Sequence, residues 1–203
     1  MADQYAQSLE QVFKNLRESL IGVGREAEFL SRQFVQGVDN VNKQRFYRGV
    51  EQAIGVNIQS IIQNEDLTDI LRASVSENVN LITSIPQEYL KNIESIVYRG
   101  TTSGLNATSM IEEIVKQGRS TAKRAKLIAR DQTSKINSTL SQKRATNLGA
   151  EEYVWRTAGD ERVRPNHATK NGKVFRYNNP PRDTGHPGHD IQCRCVAQPI
   201  IRV

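Results

Sequence analysis

Residues 147–160 read Asn-Leu-Gly-Ala-Glu-Glu-Tyr-Val-Trp-Arg-Thr-Ala-Gly-Asp (NLGAEEYVWRTAGD), and the character of the chain changes inside this stretch. Before it runs a long basic segment with sparse apolar residues, and Gly149 is placed to close a helix there. After it, Tyr153-Val154-Trp155-Arg156-Thr157 has the aromatic and β-branched composition of a strand, and Ala158-Gly159-Asp160 reads as a turn. The fold class expected from this junction is α+β, with a predominantly helical N-terminal body over 1–149 and a small β-rich unit over 150–203.

Working back from Gly149, the basic helix is expected over 118–149, opened by Ser120, with Ala125, Leu127, Ile128, Ile136, Leu140 and Leu148 as its few apolar positions. A short helix starting at Asn106 or Thr108 and ending at Gly118 precedes it, and a turn over 100–104 precedes that. Pro86 suits the first turn of another helix, with Ser84 as its cap. Asn64 or Asp66 caps a helix carrying Leu67, Ile70, Leu71, Val75, Val79 and Ile82. GVNIQSII, from Gly55, reads as a linker or short extended piece. Two amphipathic helices fill the N-terminus. The first, Gln4 to Leu20, has Tyr5, Leu9, Val12, Phe13, Leu16 and Leu20 at three- and four-residue steps and is broken at Gly22-Val23-Gly24. The second, Arg25 to Ala53, has an apolar side of Phe29, Leu30, Phe34, Val38, Val41, Phe46, Val50 and Ile54, with Gly37 as a point of interruption.

Working forward, Asn171-Gly172 is a tight-turn dipeptide, and Val174-Phe175-Arg176-Tyr177 follows it as a strand. Asn178 to Gly188 is a loop rich in proline and glycine. Cys193 to Ile201 reads as a final strand.

With aromatics at 6% and charged residues at 25%, the composition excludes a typical β-sandwich core and suits half-exposed helices. No apolar run approaches the ~20 residues of a bilayer span. The start MADQYAQSLEQVF lacks a basic head followed by an apolar stretch, so no signal peptide is expected, and the cysteines are expected as thiols or metal ligands in a reducing cytosol.

The net charge of +6 is unevenly placed. Residues 1–115 hold 10 Lys/Arg against 15 Asp/Glu, whereas residues 116–148 hold 9 Lys/Arg against Asp131 alone. Such a block is either a solvated helix face or a contact for a polyanion or acidic partner. Lys116, Arg119, Lys123, Arg124, Lys126 and Arg130 are the candidate contacts for nucleic acid or partner. Phe, Tyr and Trp are absent between Lys116 and Leu148, so base stacking is not expected; phosphate contact would be blind to sequence and sensitive to salt.

All three histidines and both cysteines lie in the last quarter of the chain. His167, His186, His189, Cys193 and Cys195 are therefore the candidate metal ligands. Two thiolates two residues apart in an extended strand share a face and, with a histidine, make a structural zinc site; a β unit of ~50 residues has little core without such a staple. Zinc thiolates more often come as Cys-x2–4-Cys. Buried unmetallated thiols with capping histidines, and a Cys193–Cys195 disulfide, stay open beside the metal reading. Asp160-Glu161-Arg162-Val163-Arg164 before His167 is either an acid–histidine pair for catalysis or an ion-paired turn with His167 packed beneath it. The zinc-deaminase, Gly-x-Ser-x-Gly, P-loop and dinucleotide signatures are missing. A metal-dependent nuclease or related effector, using His167 with His186 or His189 and Asp160, and a sequence-nonspecific DNA-binding module remain as alternatives.

Ala129-Arg130-Asp131 through Thr133, Trp155-Arg156-Thr157, Asp160-Glu161-Arg162-Val163-Arg164, His167, Gly172, His186-Pro187-Gly188 and Cys193-Arg194-Cys195, in this order, resemble the phage Mu F-like head morphogenesis family. The resemblance covers about residues 50–200 and is densest after Ser120. Asn171 stands where an acidic residue is more usual: if that acid builds the turn, Asn replaces it through the same preference, and if it binds a metal or a partner, the role does not carry over to this chain. The resemblance implies a non-enzymatic minor capsid protein of a tailed phage or prophage. It further implies association with the portal or with major capsid or scaffold proteins during head assembly and DNA packaging or delivery. The implied location is the virion, in the head interior or at the portal vertex, and the host cytoplasm during assembly.

Overall fold

The computed structural model describes residues 2–55 and 65–201. The GVNIQSII stretch beyond Gly55, and Asn64 as a cap, lie outside the described residues. Helix α1 (Ala2–Ser19) passes through one 3-10 turn (Leu20–Gly22) into α2 (Val23–Ile54); α3 (Thr68–Thr102) and α4 (Ala107–Asn147) follow. Then come β1 (Glu152–Arg156), the one-turn helix α5 (Pro165–Ala168), β2 (Val174–Arg176) and β3 (Val196–Ile200). The fold is α+β, as the junction at 147–160 implies.

The chain divides into two compact units, residues 1–32 with 75–128 and residues 33–74 with 129–203. In the first, Phe13, Ala27, Leu90 and Ile96 are buried. Phe13 meets Tyr98 with ring centroids 6.0 Å apart, and Arg17 forks onto both oxygens of Glu94 at 2.9 and 2.8 Å. Asn106 caps α4, its Oδ1 accepting the Ser109 N–H at 2.9 Å.

Several helix boundaries differ from the sequence reading. The expected break at Gly22-Val23-Gly24 does not end the helix, which tightens for the one turn Leu20–Gly22 and resumes at Val23. Pro86 lies inside α3, not at a start. Ser84 is no cap: its hydroxyl donates to the Leu81 carbonyl at 2.7 Å, and Thr83 donates to Val79 at 2.8 Å. These hydroxyls bond carbonyls of the turn before the ring, while the carbonyl that Pro86 leaves without its helical amide is that of Ile82. Gly118 does not terminate α4 either, because an interior glycine costs only ~1 kcal/mol and an apolar face continues on both sides of it. A Cβ there would stand 3.5 Å from the Tyr89 hydroxyl, so the helix surface is already in contact. Gly37 leaves α2 intact. Phe29, Leu30 and Val41, expected on the apolar side of α2, are exposed, while Ala27, Ser31, Val35, Asp39 and Asn42 are buried.

The second unit explains the last two. Arg144 of α4 has a side-chain exposure of 0% and is ion-paired to Asp39 at 2.6 Å and Glu65 at 2.9 Å. It also donates to Asn42, and Tyr47 donates to Glu65. Burial works against the Arg144 charge, and the two carboxylates outweigh it, raising its pKa above the ordinary value. A buried cation on one helix thus dictates polar residues on another.

At Gly149 the helix closes as expected, with φ +80°. Gly149 N–H bonds Thr146 O and Ala150 N–H bonds Ala145 O, each at 3.0 Å, the paired bonds of a Schellman cap. The antiparallel sheet that follows has the order β2-β1-β3. Tyr153 pairs with Phe175 and Pro199; Trp155 pairs with Ala197. Pro199 is tolerated because β3 is an edge strand. Alternation buries Tyr153 and Trp155 completely, against Ala145, Ala150, Tyr177, Cys193 and Cys195, with Phe46 of α2 and Phe175 alongside. The expected strand from Cys193 shortens to Val196–Ile200, so both cysteines precede it in a turn where Gln192 takes φ 58°.

Candidate metal centre

Three of the five candidate ligands come together. His167 sits on α5, whose first residue Pro165 is preset for a helix start. Its ring meets Trp155 edge-on, 5.5 Å between centroids, and is buried. Nδ1 lies 3.5 Å from Cys193 Sγ and 3.5 Å from Cys195 Sγ. Nε2 faces Asp190 Oδ2 at 2.8 Å. The one nitrogen and two sulfurs lie within 4.8 Å of one another. Both thiols are free and buried, so no disulfide joins them.

The loop carrying the cysteines is fastened to one face of α4. Asp131 Oδ1 accepts the Gln192 N–H at 2.8 Å, Ser134 Oγ donates to Cys193 O at 2.8 Å, and Ser138 Oγ donates to Pro187 O. These three residues follow at i, i+3 and i+7, which aligns them along the helix. Gly188, at φ +87°, is held so close to α4 that a Cβ would stand 2.8 Å from Ser138 Cβ. Its N–H points at Cys193 Sγ, 3.4 Å away, and the Cys195 N–H does the same at 3.4 Å. The Cys195 thiol also donates to Cys193, and with these amides lowers the Cys193 pKa to about 5 despite burial. The same bond, with burial, pushes Cys195 up.

His186 and His189 stand apart from this cluster. His186 Nε2 lies 3.2 Å from Gln142 Nε2, and its ring is 5.8 Å from Tyr153 and 6.1 Å from Tyr177. His189 meets His186 edge-on at 5.6 Å. Burial lowers the pKa of both. Asp160 turns to Arg194, accepting two bonds at 2.6 and 2.5 Å, and takes the Arg162 N–H at 3.3 Å. The partner of His167 is Asp190, which the sequence reading did not single out; its separation of 23 residues from His167 gives no periodic signal.

The triad lines a cleft of about 600 Å³, shared with Arg130, Arg162, Arg164 and Arg194. Of the other candidate contacts, Lys116, Arg119, Lys123 and Lys126 are exposed along α4, while Arg124 pairs with Glu88.

A family model for Phage Mu protein F like protein matches residues 91–198. That span holds α4, β1, β2, the first part of β3 and the His-Cys-Cys cluster, and the chain belongs to this family. It is also similar to an uncharacterized protein of Haemophilus influenzae, 37% identical over 177 residues, or 87% of this chain. The chain spans 40% of the length of that relative. No solved structure matches it.

Proposed function

We propose that this member of the Phage Mu protein F like family is a minor head protein that acts in phage head morphogenesis, without enzymatic activity, by binding the portal or neighbouring inner-shell proteins. Its place is the virion, at the head interior or portal vertex, after assembly in the host cytoplasm. Family membership over residues 91–198 carries this reading. Exposed apolar side chains on the helices support it: Val12 and Leu16 on α1, Phe29 and Leu30 on α2, and Ile111 and Val115 on α4 are each at least 44% exposed. The pairs at i, i+4 lie on single helix faces and fit protein partners. The experiment is co-migration of the purified chain with its cognate portal and procapsid under assembly conditions. Binding weakened by Val12→Asp with Leu16→Asp, or by Ile111→Asp with Val115→Asp, is the expected result. Absence of binding to either particle would overturn the reading.

A second role, compatible with the first, is phosphate contact to packaged DNA. Lys116, Arg119, Lys123 and Lys126 follow one another at steps of three, four and three and so form one exposed stripe on α4. A stripe without aromatics fits backbone contact.

A further inference from the structure

We propose that His167 Nδ1, Cys193 Sγ and Cys195 Sγ bind one zinc ion, with the fourth position open to the arginine-lined cleft and taken by water. Four observations carry it. The first is spacing. Zinc bonds of ~2.3 Å to sulfur and ~2.0 Å to nitrogen, in a tetrahedron, separate a nitrogen from a sulfur by about 3.5 Å. His167 Nδ1 stands 3.5 Å from each sulfur. The second is valence. The ring nitrogen has a single lone pair, or a single proton, and cannot bond two thiols at once; a cation among the three atoms uses all of them.

The third is the support around the ligands. Asp190 on Nε2 fixes the ring as the tautomer whose Nδ1 is free to coordinate, the carboxylate–histidine arrangement that surrounds zinc in other proteins. The amides of Gly188 and Cys195 aim at Cys193 Sγ, which stabilises a thiolate. A cysteine nucleophile would instead need donors aimed at an empty point beside the sulfur, where an oxyanion forms. The fourth is access: all three ligands line the cleft, so the ion has an entry path. Nitrogen with two sulfurs selects zinc among the common divalent cations. On binding, the thiol protons pass to solvent, and the ion takes two thiolates and a neutral imidazole. His186 and His189 take no part.

The test begins with the full chain, purified without chelator and analysed for metal by mass spectrometry. About one zinc per chain is expected. Replacement by cobalt should give thiolate-to-cobalt charge-transfer absorption and the visible bands of a tetrahedral ion. His189→Ala and His186→Ala should keep both the metal and the cobalt spectrum. Asp190→Asn should keep two-thiolate cobalt absorption but weaken zinc roughly 10- to 100-fold in a chelator competition. His167→Ala should weaken it more. Cys193→Ser and Cys195→Ser should each lower the thiolate absorption by at least half. Zinc should slow alkylation of the thiols, and chelation should restore it. A folded wild-type chain that takes up no zinc or cobalt at micromolar concentrations overturns the proposal, whether or not any variant folds. Loss of the cobalt spectrum in His189→Ala overturns the ligand set.

Discussion

Arg144 shows how one side chain shapes the second unit. Its guanidinium is withdrawn from water and answered by Asp39, Glu65 and Asn42. Removing one partner of a buried ion pair leaves the other charged and unsolvated, at about 3–5 kcal/mol. Arg144→Ala should therefore lower unfolding free energy by about that amount, read from the midpoint of a urea titration. Combined with Asp39→Asn, the loss should be smaller than the two single losses added, by roughly 1 kcal/mol or more, because the groups share one network. Additive losses would mean that the network does not act as a unit. At the same scale, Gly188→Ala should destabilise the chain, since both the positive φ and the contact with Ser138 reject a Cβ.

At the level of elements, two glycines and a proline read alike in sequence but act differently in structure. Gly149 ends α4 because its left-handed conformation lets two amides satisfy the last carbonyls. Gly149→Ala should cost about 1 kcal/mol for a Cβ in that conformation. Gly118 ends nothing. Pro86 sits within α3 and leaves one carbonyl without its helical amide. Pro86→Ala should raise stability by about 1–3 kcal/mol, measured by chemical denaturation. A loss instead would mean that the packing of α3 depends on the proline ring.

For the whole molecule, the net charge of +6 conceals an acidic first half and a basic stretch from residue 116. Part of that stretch is spent internally, since Arg144 is buried, Arg124 pairs with Glu88 and Lys135 with Asp131. Lys116, Arg119, Lys123 and Lys126 form an exposed stripe available to phosphate. Binding to random-sequence DNA should weaken steeply with salt. Each phosphate contact removed should flatten the slope of log K against log salt by about 0.9. Alanine at all four positions should flatten it by about 3 to 4, and an unchanged slope would assign the stripe to a protein partner or to solvent. Among the described residues, no helix is long and apolar enough to cross a membrane.

Local chemistry made much of this protein legible from its sequence. The shift from 3.6-residue periodicity to strand composition at 147–160 gave the α+β class, since both signals belong to neighbouring residues. Gly149 as a stop, Asn106 as a cap and Asn171-Gly172 as a turn rest on the same kind of short-range preference. The order of Trp155, Asp160, His167 and the Cys-Arg-Cys carried the family. Tertiary structure decided what depends on distant partners. Pro86 and Gly118 stay within helices because the helices continue on both sides of them. Asp39 and Asn42 are buried because Arg144, about 100 residues later, needs acceptors there. His167, not His186 or His189, meets the cysteines because α5 and the loop fastened by Asp131, Ser134 and Ser138 converge beneath Trp155. Residue spacing sets which side chains share a face; only the closed fold sets which faces meet.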